Sequence, residues 1–167
     1  MAKKNELSFE DGDFVVYPTH GVGRILGSES RNVAGTDLKL LIIRFEQDRM
    51  TLRVPMEKAI SLGLRTLSSS KQMDDAIDTL QTKAKVRRTM WSRRAQDYEA
   101  KIKSGDPVEI AKVVRDLRKK DTATEQSYSE RQMYQAALER LAREYAAIQE
   151  IDKESAAVKL EEIMDAA

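Results

Sequence analysis

The residues best equipped for chemistry lie between Lys83 and Arg94. Lys83, Lys85, Arg87, Arg88, Arg93 and Arg94 are six basic side chains with no acidic residue among them, and Trp91 stands inside the run. Cationic groups at this density neutralise phosphates, and an indole can stack on bases or wedge between them. Trp91 also shares a helical stripe with Ala95, Tyr98 and Ile102, so periodicity leaves two roles open: a core anchor or an exposed contact. Thr89 is a candidate N-cap, which would put Trp91 in a first helical turn whose amides favour anions.

Other constellations carry less. Gly21-Val22-Gly23-Arg24-Ile25-Leu26-Gly27 imitates a dinucleotide fingerprint, but its third glycine falls one place late and the segment reads on as strand. His20 has no Ser, Cys or carboxylate in a partner relationship and is read as a turn residue with a local hydrogen bond. Pairs such as Asp74-Asp75 and Glu161-Glu162 sit among solvent-facing helical positions, which does not make a two-carboxylate or metal centre. With no cysteine and one histidine, thiolate chemistry, disulfides and Cys/His metal sites are excluded. No catalytic residue, cofactor site or metal site is read, and the chain is expected not to be an enzyme.

These residues need elements to hold them. The 167 residues suit one mid-sized domain or two small ones, and the pattern changes near Leu67-Ser68-Ser69-Ser70. Residues 1–68 are read as a β domain and 69–167 as a helical one. Phe14 to Tyr17, Val22 to Leu26, Leu38 to Phe45 and Met50 to Val54 read as strands of a small closed or half-closed barrel. Leu38, Leu40 and Ile42 alternate with Leu41, Ile43 and Phe45, which predicts a strand covered on both faces. Arg53 should face outward, as should Arg31 and Val33. Side by side, those two segments would surround an aliphatic spot with guanidinium groups, a protein-docking pattern.

After the boundary, apolar residues recur at helical spacing in five stripes, from Met73 to Ala84, Trp91 to Ile102, Ile110 to Leu117, Met133 to Ile148 and Ala156 to Ile163. Ser104-Gly105 closes one helix, Asp106-Pro107 with Glu109 opens the next, and Ser129 with Gln132 is a second candidate capping box. The fold class expected is α+β in two domains, a small β-barrel followed by a compact bundle of about five α-helices. Net charge is only +1, yet residues 71–120 hold 14 basic against 8 acidic residues and 121–167 hold 5 against 11. A basic middle beside an acidic end fits an anion-binding face with a counterweight. The longest aliphatic run, Leu40 to Ile43, is far too short to cross a membrane, and no membrane partner is expected.

The sequence resembles the CarD family of bacterial transcription regulators, in particular its short CdnL-like members. The match is carried by Asp11-Gly12-Asp13-Phe14-Val15-Val16-Tyr17-Pro18-Thr19-His20-Gly21-Val22-Gly23, by Leu52-Arg53-Val54-Pro55, by Trp91-Ser92-Arg93-Arg94 and by Val113-Val114-Arg115-Asp116-Leu117. The N-terminal block also resembles the polymerase-docking module of the transcription-repair coupling factor; the tryptophan block separates the two. This resemblance implies a Tudor-like barrel that binds the RNA polymerase β subunit, with Arg31, Val33 and Arg53 at the matching contact positions. It implies a helical domain at promoter DNA, with Trp91 as a minor-groove wedge at the upstream edge of the bubble near the −10 element. Arg93 and Arg94, with Arg87 and Arg88 beside them, would supply backbone contacts. The implied protein is a cytoplasmic monomer without a cofactor that stabilises open promoter complexes; the alternative is a structural adaptor without DNA contact.

Overall fold

In a computed structural model, residues 9–84, 89–118 and 127–167 are described, and the chain divides into two compact units that meet between Leu67 and Ser68. The first unit contains β1 (Phe14–Tyr17), β2 (Gly21–Val33), β3 (Thr36–Phe45), β4 (Met50–Pro55), a one-turn helix α1 (Met56–Ala59) and β5 (Arg65–Thr66). They form one antiparallel sheet in the order β4-β3-β2-β1-β5. β4 and β5 end the sheet without pairing to each other, so of the two barrel forms expected the half-closed one is present.

Period-two alternation builds this unit. Leu41, Ile43 and Phe45 of β3 are buried with Val15, Ile25, Val54, Ala59 and Leu64, the inner face of a pleated strand. Leu38, Leu40 and Ile42 are only half-buried, which corrects the expectation that β3 is covered on both faces. β2 is also longer than the Val22 to Leu26 segment expected: it runs to Val33 and turns into β3 through Ala34 and Gly35 alone, at φ 52° and 80°. Positive φ at both central residues suits the right-handed twist of the flanking strands, and the Asn32 side chain accepts the Gly35 amide at 3.2 Å. Polar spacers such as Ser28 and Ser30 hide this extension from a hydrophobicity reading.

Close packing explains one glycine. A Cβ on Gly23 would stand 2.7 Å from Cε1 of Phe45 and 2.8 Å from Cγ2 of Ile43. The Tyr17 to Gly21 turn, with Gly21 at φ 81°, hands the chain straight into β2. His20 there donates its backbone amide to the Tyr17 carbonyl at 3.0 Å, while its ring stacks on Tyr17 and tilts against Phe45.

Among its described residues the second unit holds five helices: α2 (Ser70–Leu80), α3 (Trp91–Lys103), α4 (Pro107–Leu117), α5 (Tyr128–Gln149) and α6 (Lys153–Asp165), one for each stripe, although α2 ends at Leu80 and leaves Ala84 of the first stripe outside it. α4 is the most apolar, burying Ile110, Ala111, Val113, Val114 and Leu117 in one core with Met73, Leu80, Ile102, Leu138, Leu141 and Leu160. Asp106 caps α4 by accepting the Val108 and Glu109 amides, with Pro107 in the first turn. One capping expectation needs correction. α5 starts at Tyr128 under Ser127, which accepts the Glu130 amide at 3.2 Å, so the cap is two residues earlier than Ser129 with Gln132. The reciprocal box lies instead at Ser69 and Gln72, on α2. Among the described residues no helix is long and apolar enough to cross a membrane.

Candidate functional site

Strand register decides what the sheet offers. Arg31 pairs with Leu38, Glu29 with Leu40 and Gly27 with Ile42 across β2 and β3, while Leu40 pairs with Pro55 and Ile42 with Arg53 across β3 and β4. Directly paired residues project to the same side, so Arg31, Val33 and Arg53 share the outer face. Their strands are not side by side as expected, because β3 runs between them and supplies the aliphatic centre from Leu38, Leu40 and Ile42. Val33 adds an apolar edge at 52% exposure.

Glu29 links the two flanking cations. Its Oε1 lies 2.5 Å from Nε of Arg31 and 3.5 Å from Nε of Arg53. One carboxylate between two guanidinium groups reduces their mutual repulsion, although its Oε1 is buried without a hydrogen bond to either. Sequence reasoning does not single out Glu29. Its signal is the two-residue spacing Glu29, Arg31, Val33, which places all three on one side of a strand. Arg44, paired with Arg24, extends the cationic rim and donates from Nη1 to Thr51 Oγ1 at 3.2 Å.

The second candidate surface is the start of α3. Trp91 is its first residue, and Met90, not Thr89, is the N-cap; Met90 is extended at φ −56° and ψ 141° and makes no side-chain capping bond. The physical reason is that the chain enters the helix one residue later than Thr89 would require. No acidic residue stands in the first turn. The structure gives Trp91 a part in both roles left open by periodicity. Its indole is half-buried against the helical core and its centroid is 6.2 Å from that of Tyr98, yet it is not enclosed.

Arg94 and Arg93 differ. The Arg94 guanidinium lies 5.4 Å from the Trp91 centroid and 5.9 Å from that of Tyr98, a cation–π arrangement that props the indole. Its Nε is buried with no hydrogen-bond partner. Arg93, on the adjacent helical position, is exposed. Lys83 is exposed as well, whereas Arg87 and Arg88 lie outside the described residues. An exposed cation, a propped indole and an exposed Met90 in one turn can meet a polyanion through charge and a base step through apolar contact.

Comparison with known proteins follows the same division. Residues 9–68 match the family model described as the CarD-like/TRCF RID domain, and residues 75–161 match that of the CarD C-terminal domain. A Bacillus subtilis (strain 168) protein named "Putative transcription factor YdeB" is 30% identical over 143 residues, covering 86% of this chain and 94% of that one. A solution NMR structure of the 72-residue N-terminal domain of Myxococcus xanthus CarD is 36% identical, covers 35% of this chain and 77% of its own, and superposes at a TM-score of 0.31.

Proposed function

The chain belongs to the CarD family of transcription factors, and from that premise we propose that it is a non-enzymatic regulator that docks on the RNA polymerase β subunit and stabilises the open promoter complex. The outer sheet face, with Arg31, Val33 and Arg53 around Leu40 and Ile42, is the polymerase-docking surface. The α3 start contacts DNA at the upstream edge of the bubble near the −10 element, with Trp91 as wedge and Arg93 as phosphate contact. Arg94 props the indole and adds positive charge. Arg87 and Arg88 are assigned as further backbone contacts.

One observation carries the reading: the only tryptophan occupies the first position of a helix whose opening turn has arginines and no acid. An aromatic core anchor would normally sit deeper, where both ring faces are enclosed. A wedge of this kind contributes about 1–3 kcal/mol, which changes bubble-closing rates roughly tenfold to a hundredfold. That scale suits a tuner of initiation.

The packing of Trp91 on Tyr98 and Arg94 is what favours the rival reading, an adaptor whose two domains both bind proteins. Open-complex lifetime separates them. On a ribosomal-RNA-type promoter, the native chain should lengthen the half-life of complexes formed by purified polymerase. Trp91→Ala should lose most of that gain while keeping β-subunit affinity, and Arg53→Glu should lose recruitment itself. A Trp91→Ala protein that merely unfolds at lower temperature, with open complexes as long-lived as with the native chain, would hand the helical domain to the adaptor.

A further inference from the structure

Met90 is explained neither by packing nor by local backbone chemistry. It is 75% exposed, so the core gains nothing from it. It occupies the N-cap of α3, a position where Ser, Thr, Asp or Asn would accept first-turn amides, and its side chain makes no capping bond. Thr89, one residue earlier, could have served had the helix begun there. A long apolar side chain has therefore been kept in water at a place where a short polar one would steady the helix.

Its neighbours say what could cover it. From Lys83 to Arg94 the sequence contains no acidic residue, and Arg93 is exposed on the following turn. A sequence of that charge, with Arg93 exposed within it, is complementary to a polyanion. An apolar tip within it fits a ligand that is anionic outside and flat and apolar inside, which describes an opened base stack. Trp91 is half-buried and held by Tyr98 and Arg94, so in the free protein Met90 projects into solvent more than the indole does.

We infer that Met90 is a second apolar element of the DNA contact, lying against the exposed base step beside Trp91. This rests on the proposed role of α3 at the bubble edge. A thioether suits such a contact, because it is unbranched, adapts to an irregular step and makes favourable contacts with aromatic rings. Methionine is also among the side chains that proteins insert between base steps. In this arrangement Trp91 is the rigid part of the tip and Met90 the adaptable part.

The test uses the full chain with RNA polymerase and promoter DNA, reading open-complex half-life, β-subunit affinity and thermal midpoint for Met90→Ala, Met90→Leu, Met90→Ser and Trp91→Ala. Met90→Ala should shorten the half-life about three- to tenfold with unchanged affinity, a fraction of the effect of losing the indole. Met90→Leu should restore most of it. Met90→Ser should raise the thermal midpoint, because it supplies the missing cap, and still shorten the half-life; a purely structural role could not move the two in opposite directions. If Met90→Ala and Met90→Ser match the native half-life while Trp91→Ala does not, the inference on Met90 fails and the proposed function stands. If all of them match, both fail. A loss of β-subunit affinity in Met90→Ala would make Met90 a protein contact and overturn the inference as well.

Discussion

On the proposed docking face, Glu29 is a residue that no partner need touch and that should still affect affinity. Its carboxylate lies near both Arg31 and Arg53 across three strands, and removing its charge should leave the two guanidinium groups with more to be ordered on binding. Ordering a long side chain costs about 0.5–1.5 kcal/mol. Glu29→Gln keeps the shape and removes the charge, so β-subunit affinity should fall about fivefold on that account. Stability should hardly change, because exposed ion pairs contribute only about 0–1 kcal/mol. Calorimetric titration against the β subunit, paired with urea unfolding, reads both. An affinity that rises instead would mean that the carboxylate competes with acidic groups of the partner. Arg94 should act in the same indirect manner on the other unit, through the ring it covers.

Elements carried most of the legibility. The five helical stripes all became helices, because each had a run of apolar residues at one period and the positions of Asp106-Pro107 and Ser104-Gly105 were unambiguous. Where several cap-competent residues cluster, as at Ser127 and Ser129, the pattern alone could not choose between registers two apart. Arg31, Val33 and Arg53 were legible as outward-facing residues, but the strand between them was not, since pairing order is set by long-range register rather than by local composition. At the helix ends of the second unit a further contact was invisible in sequence: Arg118, just beyond α4, pairs with Asp165 of α6 beside Tyr134 of α5. Burial, with Glu161 nearby, holds the Tyr134 phenol above its ordinary value, and Arg118 only partly opposes this. The folded chain thus keeps that proton where the unfolded chain releases it. The resulting stability is whole below about pH 10, the unfolded phenol value, and is lost as pH rises through the folded one. Tyr134→Phe should flatten the fall in urea midpoint on the alkaline side of that value and leave neutral pH without such a slope. A native protein whose midpoint is level across that range would remove the phenol from the balance.

At the scale of the whole molecule, a net charge of +1 is compatible with DNA contact only if the contact is small and is made after recruitment. Few phosphates can be neutralised by Arg93 and its exposed neighbours, so the free chain should bind DNA with a dissociation constant on the order of 10⁻⁴ to 10⁻⁶ M. Docking through the sheet would convert the second contact into an intramolecular one, where an effective concentration reaching about millimolar makes weak affinity sufficient. On this reading the acidic residues of 121–167 would limit binding to DNA at large, which a protein addressed through polymerase would not need. This division of labour has a salt signature. In anisotropy titrations of a promoter fork between about 50 and 200 mM salt, each lost phosphate contact lowers the log–log slope by about 0.9. Arg93→Ala should therefore reduce the slope by about one contact. Arg53→Glu should leave the slope as in the native chain if residue 53 serves polymerase alone. A slope altered equally by both would mean that the sheet face also lies on DNA, and the separation of duties between the two units would have to be abandoned. A native chain with no salt-dependent binding to the fork, alone or on polymerase, would leave only the adaptor.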